Sequence, residues 1–203
     1  MKGQVFFLDS ACFTLPITEQ YHSHIPVAIL IDTVYAVSIM RIYTDVISGD
    51  EMLSDAFPIK VVDDAVYEVD CKFIEISQGH DVDISSDPSA EEVDDNVAKV
   101  NNVVHAFNLI PAAFDKKSYR AHLSGYIYRI KSHLQATDPA RVEAFERNAS
   151  QYATKILNNI SSFEFYTGAS INNDGMVALL NYREDGITPF FTFWMDGLRE
   201  VYA

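Results

Sequence analysis

The stretch FEFYTGASINNDGMVALLNYREDGITPFFTFWMDG, residues 163–197, is the densest apolar part of the chain. Asp-Gly recurs in it every 11 residues, a spacing typical of consecutive antiparallel strands. The three pairs are Asp174-Gly175, Asp185-Gly186 and Asp196-Gly197. Because Asp and Gly both tolerate the positive φ of a type I′ turn, the middle pair predicts that Val177–Arg183 folds back on Ile187–Met195. The sequence therefore predicts a C-terminal β meander over residues 163–201, with strands apolar on both faces that other elements must cover.

Length and composition favour one compact domain. The chain has 203 residues, of which 48% are apolar and 12% aromatic, enough for a substantial core. Its formal net charge of -14 argues against nucleic acid as the main partner, because phosphate would be repelled over most of the surface. The two cysteines, Cys12 and Cys71, provide neither a disulfide framework nor a zinc site and fit a reducing cytoplasm.

The first 39 residues differ in pattern from those that follow. Their apolar run, Ile25–Ile39, is interrupted by Asp32 and is too short to span a membrane. Asp9 breaks the only stretch that resembles a signal peptide. We therefore predict an N-terminal extension, residues 1–39, outside a single domain of residues 40–203, and no membrane association.

Short strands and turns are predicted after Met40. The strands are Arg41–Ile47, Ile59–Val62 and a half-buried strand over Tyr67–Phe73 in which apolar and charged residues alternate. A turn at Ser48-Gly49-Asp50 leaves Glu51 at the start of a loop, and Leu53–Pro58 is predicted to be irregular. Cys71 should point inward as a small core residue rather than serve as a reactive thiol.

Residues 80–97 are predicted to be a mobile acidic loop, because carboxylates are dense there and Lys and Arg are absent between Gly79 and Asn96. Its oxygen-bearing side chains match the ligand spacing of an EF-hand, but Ser86 replaces the turn glycine. We expect weak calcium association and no obligatory cofactor. The candidate calcium ligands are Asp81, Asp83, Asp87, Glu91 and Glu92.

Apolar residues recur at helical spacing in 115–135 and 139–160, which predicts two helices joined as an antiparallel hairpin. Asp138 is the predicted N-cap of the second helix, with Pro139 at its first helical position. The segment 115–160 holds eight Lys or Arg against four acids, a net +4 that leaves -18 for the remainder. On a helical wheel Lys117, Arg120 and Lys131 share one exposed face. That face is either a solvated helix surface or a docking site for an acidic partner such as a tubulin-like surface.

From Met40 onward the sequence resembles the translationally controlled tumour protein family, also called histamine-releasing factor. The motifs that carry this resemblance are MRIYTDVISGDEMLSD (40–55), DPSAEEVDD (87–95), FEFYTGASINNDGMVALLNY (163–182), YREDGITPFF (182–191) and WMDGL (194–198). Asp87 replaces an Asn of the first signature, and Ala169 replaces the Glu expected after Tyr-x-Gly. The terminal cysteine common in the family is also missing.

The resemblance implies an α+β, mainly β fold: a β-tent of several small antiparallel sheets with a projecting helical hairpin, similar to guanine-nucleotide-free chaperones of Rab-type GTPases. It implies a cytoplasmic regulatory protein, also secreted without a signal, that is a monomer or weak dimer. The associated activities are calcium binding, microtubule binding, growth control through a Ras-like GTPase and binding of apoptosis regulators. Glu51 matches the family's GTPase-contacting acid. The alternatives are a β-tent enzyme of the methionine sulfoxide reductase type, which the absence of CxxC disfavours, and a calcium buffer.

Overall fold

The computed structural model describes residues 40–77 and 97–202. The predicted N-terminal extension lies outside the described residues, as does the predicted acidic loop apart from Val97. The candidate calcium ligands lie outside them as well. They are Asp81, Asp83, Asp87, Glu91 and Glu92.

Within the described residues the chain forms strands in three antiparallel sheets and three α-helices. The strands are β1 (Arg41–Asp45), β2 (Glu51–Ser54), β3 (Ile59–Val62), β4 (Val66–Asp70), β5 (Phe73–Ser77), β6 (Val97–Asn101), β7 (Ile110–Ala112), β8 (Glu164–Thr167), β9 (Val177–Tyr182), β10 (Pro189–Trp194) and β11 (Leu198–Tyr202). The helices are α1 (Asn102–Phe107), α2 (Lys116–Thr137) and α3 (Val142–Asn158). The sheets have the strand orders β11-β1-β2, β3-β4-β10-β9-β8-β7 and β5-β6. The predicted α+β, mainly β class is confirmed.

The predicted hairpin is confirmed as β9–β10, with Pro189 opposite Tyr182. The type I′ turn is wrong. The Arg183 N–H donates to the Thr188 carbonyl at 2.8 Å, which closes a longer loop in which only Gly186 has a positive φ, 67°. Asp185 instead caps the loop, since its Oδ1 accepts from the N–H groups of Ile187 and Thr188 at 2.8 and 2.9 Å. The Asp185 carboxylate therefore accepts hydrogen bonds from backbone N–H groups that a tighter turn would have paired with carbonyl oxygens.

The C-terminal meander is shorter than predicted. Strands β8, β9 and β10 pair in succession, but β11 pairs with β1 in the other sheet. A 3₁₀ turn at Met195–Gly197 separates β10 from β11, and the Gly197 carbonyl accepts from the Val46 N–H at 2.9 Å. Gly197 lies so close to the Tyr126 hydroxyl that any Cβ would collide with it. This close approach places β11 beside β1.

The predicted strand Tyr67–Phe73 is in fact divided between two sheets. β4 ends at Asp70 and β5 begins at Phe73, because the two residues between them bond to other parts of the chain. The Cys71 N–H donates to the Pro189 carbonyl at 2.9 Å, and the Lys72 carbonyl accepts from the Asn102 N–H. Cys71 is buried, as expected, but Phe73 is 42% exposed.

The segment Leu53–Pro58, which was predicted to be irregular, is partly regular, since Leu53 and Ser54 belong to β2.

The helical hairpin is confirmed, with buried stripes at the predicted positions. The buried residues are Tyr119, Leu123, Tyr126, Ile130 and Leu134 on α2 and Phe145, Ala149, Tyr152 and Ile156 on α3. They pack on the large sheet, where Tyr119 meets Phe165 at 5.0 Å and Tyr152 meets Trp194 at 6.0 Å between ring centroids. None of the helices formed by the described residues is long and apolar enough to cross a bilayer.

The predicted helix start at Asp138 is wrong. α3 begins at Val142 after Arg141, whereas the Asp138 N–H donates to the Leu134 carbonyl at 2.8 Å and so ends α2. The hairpin has its side-chain N-cap at the start of α2 instead, where Asp115 Oδ1 accepts from the Ser118 N–H at 2.7 Å. The short helix α1 was not predicted.

Candidate interaction surface

Glu51 is the first residue of β2 rather than the start of a loop. It lies opposite Thr44 at an irregularity of the β1–β2 ladder, while its neighbour Met52 is fully buried. The Glu51 side chain is exposed, and within the described residues no Lys, Arg or His pairs with it. The structure thus holds the Glu51 backbone in a sheet and leaves the carboxylate available to a partner.

The neighbour of Glu51, Asp50, fixes a second segment beside it. The Asp50 carboxylate accepts from the Ser170 N–H at 3.2 Å and from the Ser170 hydroxyl at 2.6 Å. Gly168 passes so close to the same carboxylate that any Cβ there would collide with it. The exposed Ala169 therefore lies next to the turn that precedes Glu51, at the position where the resemblance predicts a second acid.

The loop that follows is held at its other end by α2. Arg129 pairs with Asp174, and the Asp174 N–H donates to Asn172 Oδ1 at 2.8 Å. Between these anchors Ile171 is 59% exposed and has a φ of 53°, in the left-handed region. We call Glu51 together with residues 168–171 the Glu51 surface.

A buried carboxylate supports this surface from below. Asp45 is fully buried, and its two oxygens accept from the Ser48 N–H and hydroxyl at 2.9 and 2.7 Å, the Met176 N–H at 2.9 Å and the Tyr126 hydroxyl at 2.8 Å. It thereby joins the turn before Glu51, the start of β9 and helix α2. Burial, with the adjacent Asp45 charge, raises the pKa of Tyr126 well above its ordinary value, so its hydroxyl remains a donor. This role of Asp45 was not predicted, because its only local signal is a lone acid among the apolar residues of the strand.

The helical hairpin presents a groove between α2 and α3. One part, with a volume of 840 Å³, is lined on α2 by Lys116, Lys117 and Arg120 and on α3 by Thr154 and Leu157. An adjoining part of 340 Å³ shares Arg120, Thr154 and Leu157 and is also lined by Glu146. The apolar lining residues are Leu123, Ile127, Ala153 and Leu157.

The predicted cationic face is only partly assembled at this groove. Lys117 and Arg120 lie together and are joined by Lys116, and none of the three has an acidic partner among residues 40–77 and 97–202. Lys131 instead forms an ion pair with Glu146 across the hairpin. Lys131 is therefore paired within the hairpin, whereas no ion pair engages Lys117 or Arg120 within the described residues.

Other cations of the hairpin bind it to the sheets. Arg141 holds Asp196 with two hydrogen bonds of 2.8 and 3.0 Å and also pairs with Asp64, and Lys155 pairs with Asp63. Those two acids form the β3–β4 turn, where both have positive φ, 53° and 49°. Part of the positive charge of residues 115–160 is thus engaged in internal ion pairs. Within residues 40–77 and 97–202, the cations of this segment without an acidic partner are Lys116, Lys117, Arg120 and Arg147.

Cys71, the thiol that the sulfoxide reductase alternative would need, is poorly placed for reaction. Cys71 Sγ accepts from Asn101 Nδ2 at 3.0 Å and lies 3.3 Å from the Pro189 carbonyl oxygen. Burial raises the pKa of this thiol, which disfavours the reactive thiolate. Among the residues that the structure describes, no three His, Cys, Asp or Glu side chains are grouped so as to hold a metal ion.

Comparison with known proteins identifies one family. Its sequence profile, described as translationally controlled tumour protein, matches residues 40–199. The translationally-controlled tumor protein homolog of Yarrowia lipolytica is 56% identical over 165 residues, which cover 79% of this chain and 98% of that protein. The homolog of Schizosaccharomyces pombe is 51% identical over 163 residues, 78% of this chain and 97% of that protein.

Solved structures agree with the β-tent prediction. The fold matches the translationally controlled tumor-associated protein of Schizosaccharomyces pombe with a TM-score of 0.68 and 50% identity, over 79% of this chain and 98% of that one. It matches the Caenorhabditis elegans protein, solved by NMR, with a TM-score of 0.60 and 27% identity, over 79% and 97% of the two chains. The predicted fold is confirmed.

Proposed function

Because the chain belongs to the translationally controlled tumour protein family, we propose that it is a non-enzymatic regulatory protein that acts by binding other proteins, and that its Glu51 surface contacts a Ras-like GTPase. One observation carries this proposal: Glu51 is an exposed carboxylate with no partner in the described residues, on a sheet backbone that Asp45 and Asp50 hold in place. Family membership also supports a cytoplasmic location.

Preorganisation is the physical reason why this carboxylate suits recognition. A side chain on a fixed strand loses little backbone freedom when a partner binds, so more of the contact energy appears as affinity. A carboxylate also steers and orients a cationic partner surface. We therefore expect the GTPase to bring Lys or Arg to Glu51.

The test compares Glu51→Gln, which keeps the shape of the side chain and removes its charge, with the exposed-loop control Glu184→Gln. Labelled Ras-like GTPase, prepared nucleotide-free, with GDP and with a GTP analogue, is titrated against each form. Losing one partner of a desolvated charge pair should weaken binding by about tenfold or more, whereas the control should bind like the parent. Equal affinities for all three proteins would remove the Glu51 surface as the site.

Ala169 offers the complementary gain of function. It lies beside the Asp50 turn, where the resemblance expects a second acid. Ala169→Glu should tighten GTPase binding by roughly two- to fivefold, the effect of one partly exposed charge pair, and the gain should shrink at high salt. A gain that is independent of salt would indicate a different cause.

We also propose that the α2–α3 groove docks an acidic protein surface such as that of microtubules. The observation that favours it is the set Lys116, Lys117 and Arg120, which has no acidic partner in the described part of a chain of formal charge -14. Reversing Lys117 and Arg120 to Glu should weaken microtubule co-sedimentation, as should added salt. Lys131→Glu should matter less because Lys131 is paired with Glu146, and Arg147→Glu, an exposed cation on α3, is the matched control. Equal loss in all variants would indicate a nonspecific charge effect.

Calcium association through Asp81, Asp83, Asp87, Glu91 and Glu92 remains a weaker proposal, supported by their clustering in sequence. We expect a dissociation constant of about 0.1 to 1 mM, because no rigid site is indicated by the residue pattern. Calorimetry tests it. Micromolar binding that is lost in Asp81→Asn/Asp83→Asn would favour the calcium buffer instead.

A further inference from the structure

Ile171 combines a left-handed backbone conformation with an exposed apolar side chain. Its φ of 53° lies in the left-handed region, where a β-branched side chain is crowded against its own backbone. The same side chain is 59% exposed to solvent, so burial of its apolar surface within the described domain does little to offset that strain. Gly or Asn would fit this backbone better.

The surrounding contacts impose this conformation. The Ile171 N–H donates to the Gly168 carbonyl at 3.1 Å, which closes a turn at the residues bound by Asp50. On the other side the Gly175 N–H donates to the Asn172 carbonyl at 3.1 Å, and Arg129 pairs with Asp174. A loop fixed at both ends therefore exposes Ile171 to solvent, one residue after Ser170, which is bound by Asp50, the neighbour of Glu51 in sequence.

We propose that Ile171 is the apolar anchor of the Glu51 surface, which inserts into an apolar pocket on the partner while Glu51 meets a cation at the rim of that pocket. This inference rests on the proposed function, because it takes the partner to be the same Ras-like GTPase. Backbone strain at an exposed position is retained where a surface must be presented in one fixed form. An apolar side chain that is desolvated at the centre of an interface, with charged groups around it, is the arrangement that concentrates binding energy.

The partner chemistry follows from this pairing. The complementary site must offer an apolar pocket with Lys or Arg nearby. It must accept a rigid loop rather than an extended strand, since the Ile171 φ interrupts any regular β-pairing. Binding should therefore depend on both the apolar side chain and the charge, with salt weakening only the second contribution.

The experiment measures stability and GTPase affinity in the same set of variants. Ile171→Asn removes the apolar side chain and relieves the backbone strain, so its melting temperature should equal that of the parent or exceed it by roughly 2–4 °C. Its affinity for the GTPase should nevertheless fall by about tenfold or more. Ile171→Leu, which keeps the apolar bulk, should bind within about threefold of the parent. Ile187→Asn, at an isoleucine 79% exposed in the β9–β10 loop, is the matched control and should change neither quantity.

The outcomes separate this inference from the proposed function. Parental binding by Ile171→Asn, with loss in Glu51→Gln, overturns the anchor role and leaves the proposed function standing. Equal loss in Ile171→Asn and Ile187→Asn, or a lower melting temperature in Ile171→Asn, overturns the anchor role as well. If the parent itself fails to bind any GTPase form, the proposed function falls and this inference with it.

Discussion

Asp45 is a fully buried carboxylate that receives hydrogen bonds from residues far apart in the chain. Its partner Tyr126 is 81 positions away and Met176 is 131 positions away. Donors in a protein interior are costly to leave unpaired, so this one side chain stabilises the junction of β1, α2 and β9. No local sequence pattern could have indicated these contacts.

Replacing Asp45 tests that role. Asp45→Ala should lower the free energy of unfolding by about 3 kcal/mol or more, because several buried donors lose a charged acceptor at once. Urea denaturation measures the loss, and Asp55→Ala, an exposed acid that pairs with Arg41, is the control and should cost less than about 1 kcal/mol. A loss as small as that of the control would mean that water replaces the carboxylate.

His122 gives the stability a pH dependence. Burial lowers its pKa below the ordinary value of 6.5, so the unfolded chain takes up a proton at a higher pH than the folded one. The contribution of a neutral His122 is therefore complete above the unfolded pKa and is lost as pH falls toward the folded pKa. Between about pH 7 and 5 the parent should lose more stability than His122→Gln. Thermal melts across this range, with His133→Gln as a control on the same helix, measure the difference, and parallel curves for all three proteins would contradict it.

At the scale of elements, periodic patterns in the sequence predict helices and strands correctly. Element boundaries set by contacts with distant residues are not predicted. The periodic stripes of α2 and α3 were predicted because each repeats over several turns. The start of α3 was not predicted correctly, because Arg141 at that boundary is bound by Asp64 and Asp196, two acids in other parts of the chain. Likewise the exposure of Glu51 followed from its position after a turn, but the Asp50–Ser170 contact beside it joins residues 120 positions apart.

Arg141 is the main polar link between the hairpin and the sheets, and its removal should loosen that attachment. Its side chain is 20% exposed and that of Asp196 only 8%, so Arg141→Ala leaves a nearly buried carboxylate without its partner. We expect a loss of about 2–3 kcal/mol, less than for a fully buried pair because the guanidinium is partly solvated. Arg147→Ala on the exposed side of α3 should stay within about 0.5 kcal/mol of the parent. Denaturant unfolding measures both, and similar values for the two variants would show that packing alone attaches the hairpin.

At the scale of the whole molecule, charge and function are distributed unevenly. The chain carries a formal charge of -14, yet Lys116, Lys117 and Arg120 meet at one groove of the helical hairpin. Glu51, which has no partner among residues 40–77 and 97–202, belongs instead to strand β2. An acidic body repels acidic partners in general, so a cationic groove on it selects both the partner and its orientation. We propose that these two surfaces of opposite charge bind two different kinds of protein.

We expect residues 1–39 to be unnecessary for the folding of the domain that follows them. The family profile begins at residue 40, and relatives are covered almost completely, 97–98% of their length, by less than four fifths of this chain. Homologues of that length therefore build this fold without an equivalent segment. Deleting residues 1–39 should change the melting temperature by less than about 4 °C, which for a domain of this size corresponds to less than about 1–2 kcal/mol. Matched thermal melts and GTPase titrations of the full chain and the truncated form decide it. A fall of more than about 8 °C would show that the segment contributes to the core of this protein, and a change in affinity alone would place its role at the binding surface.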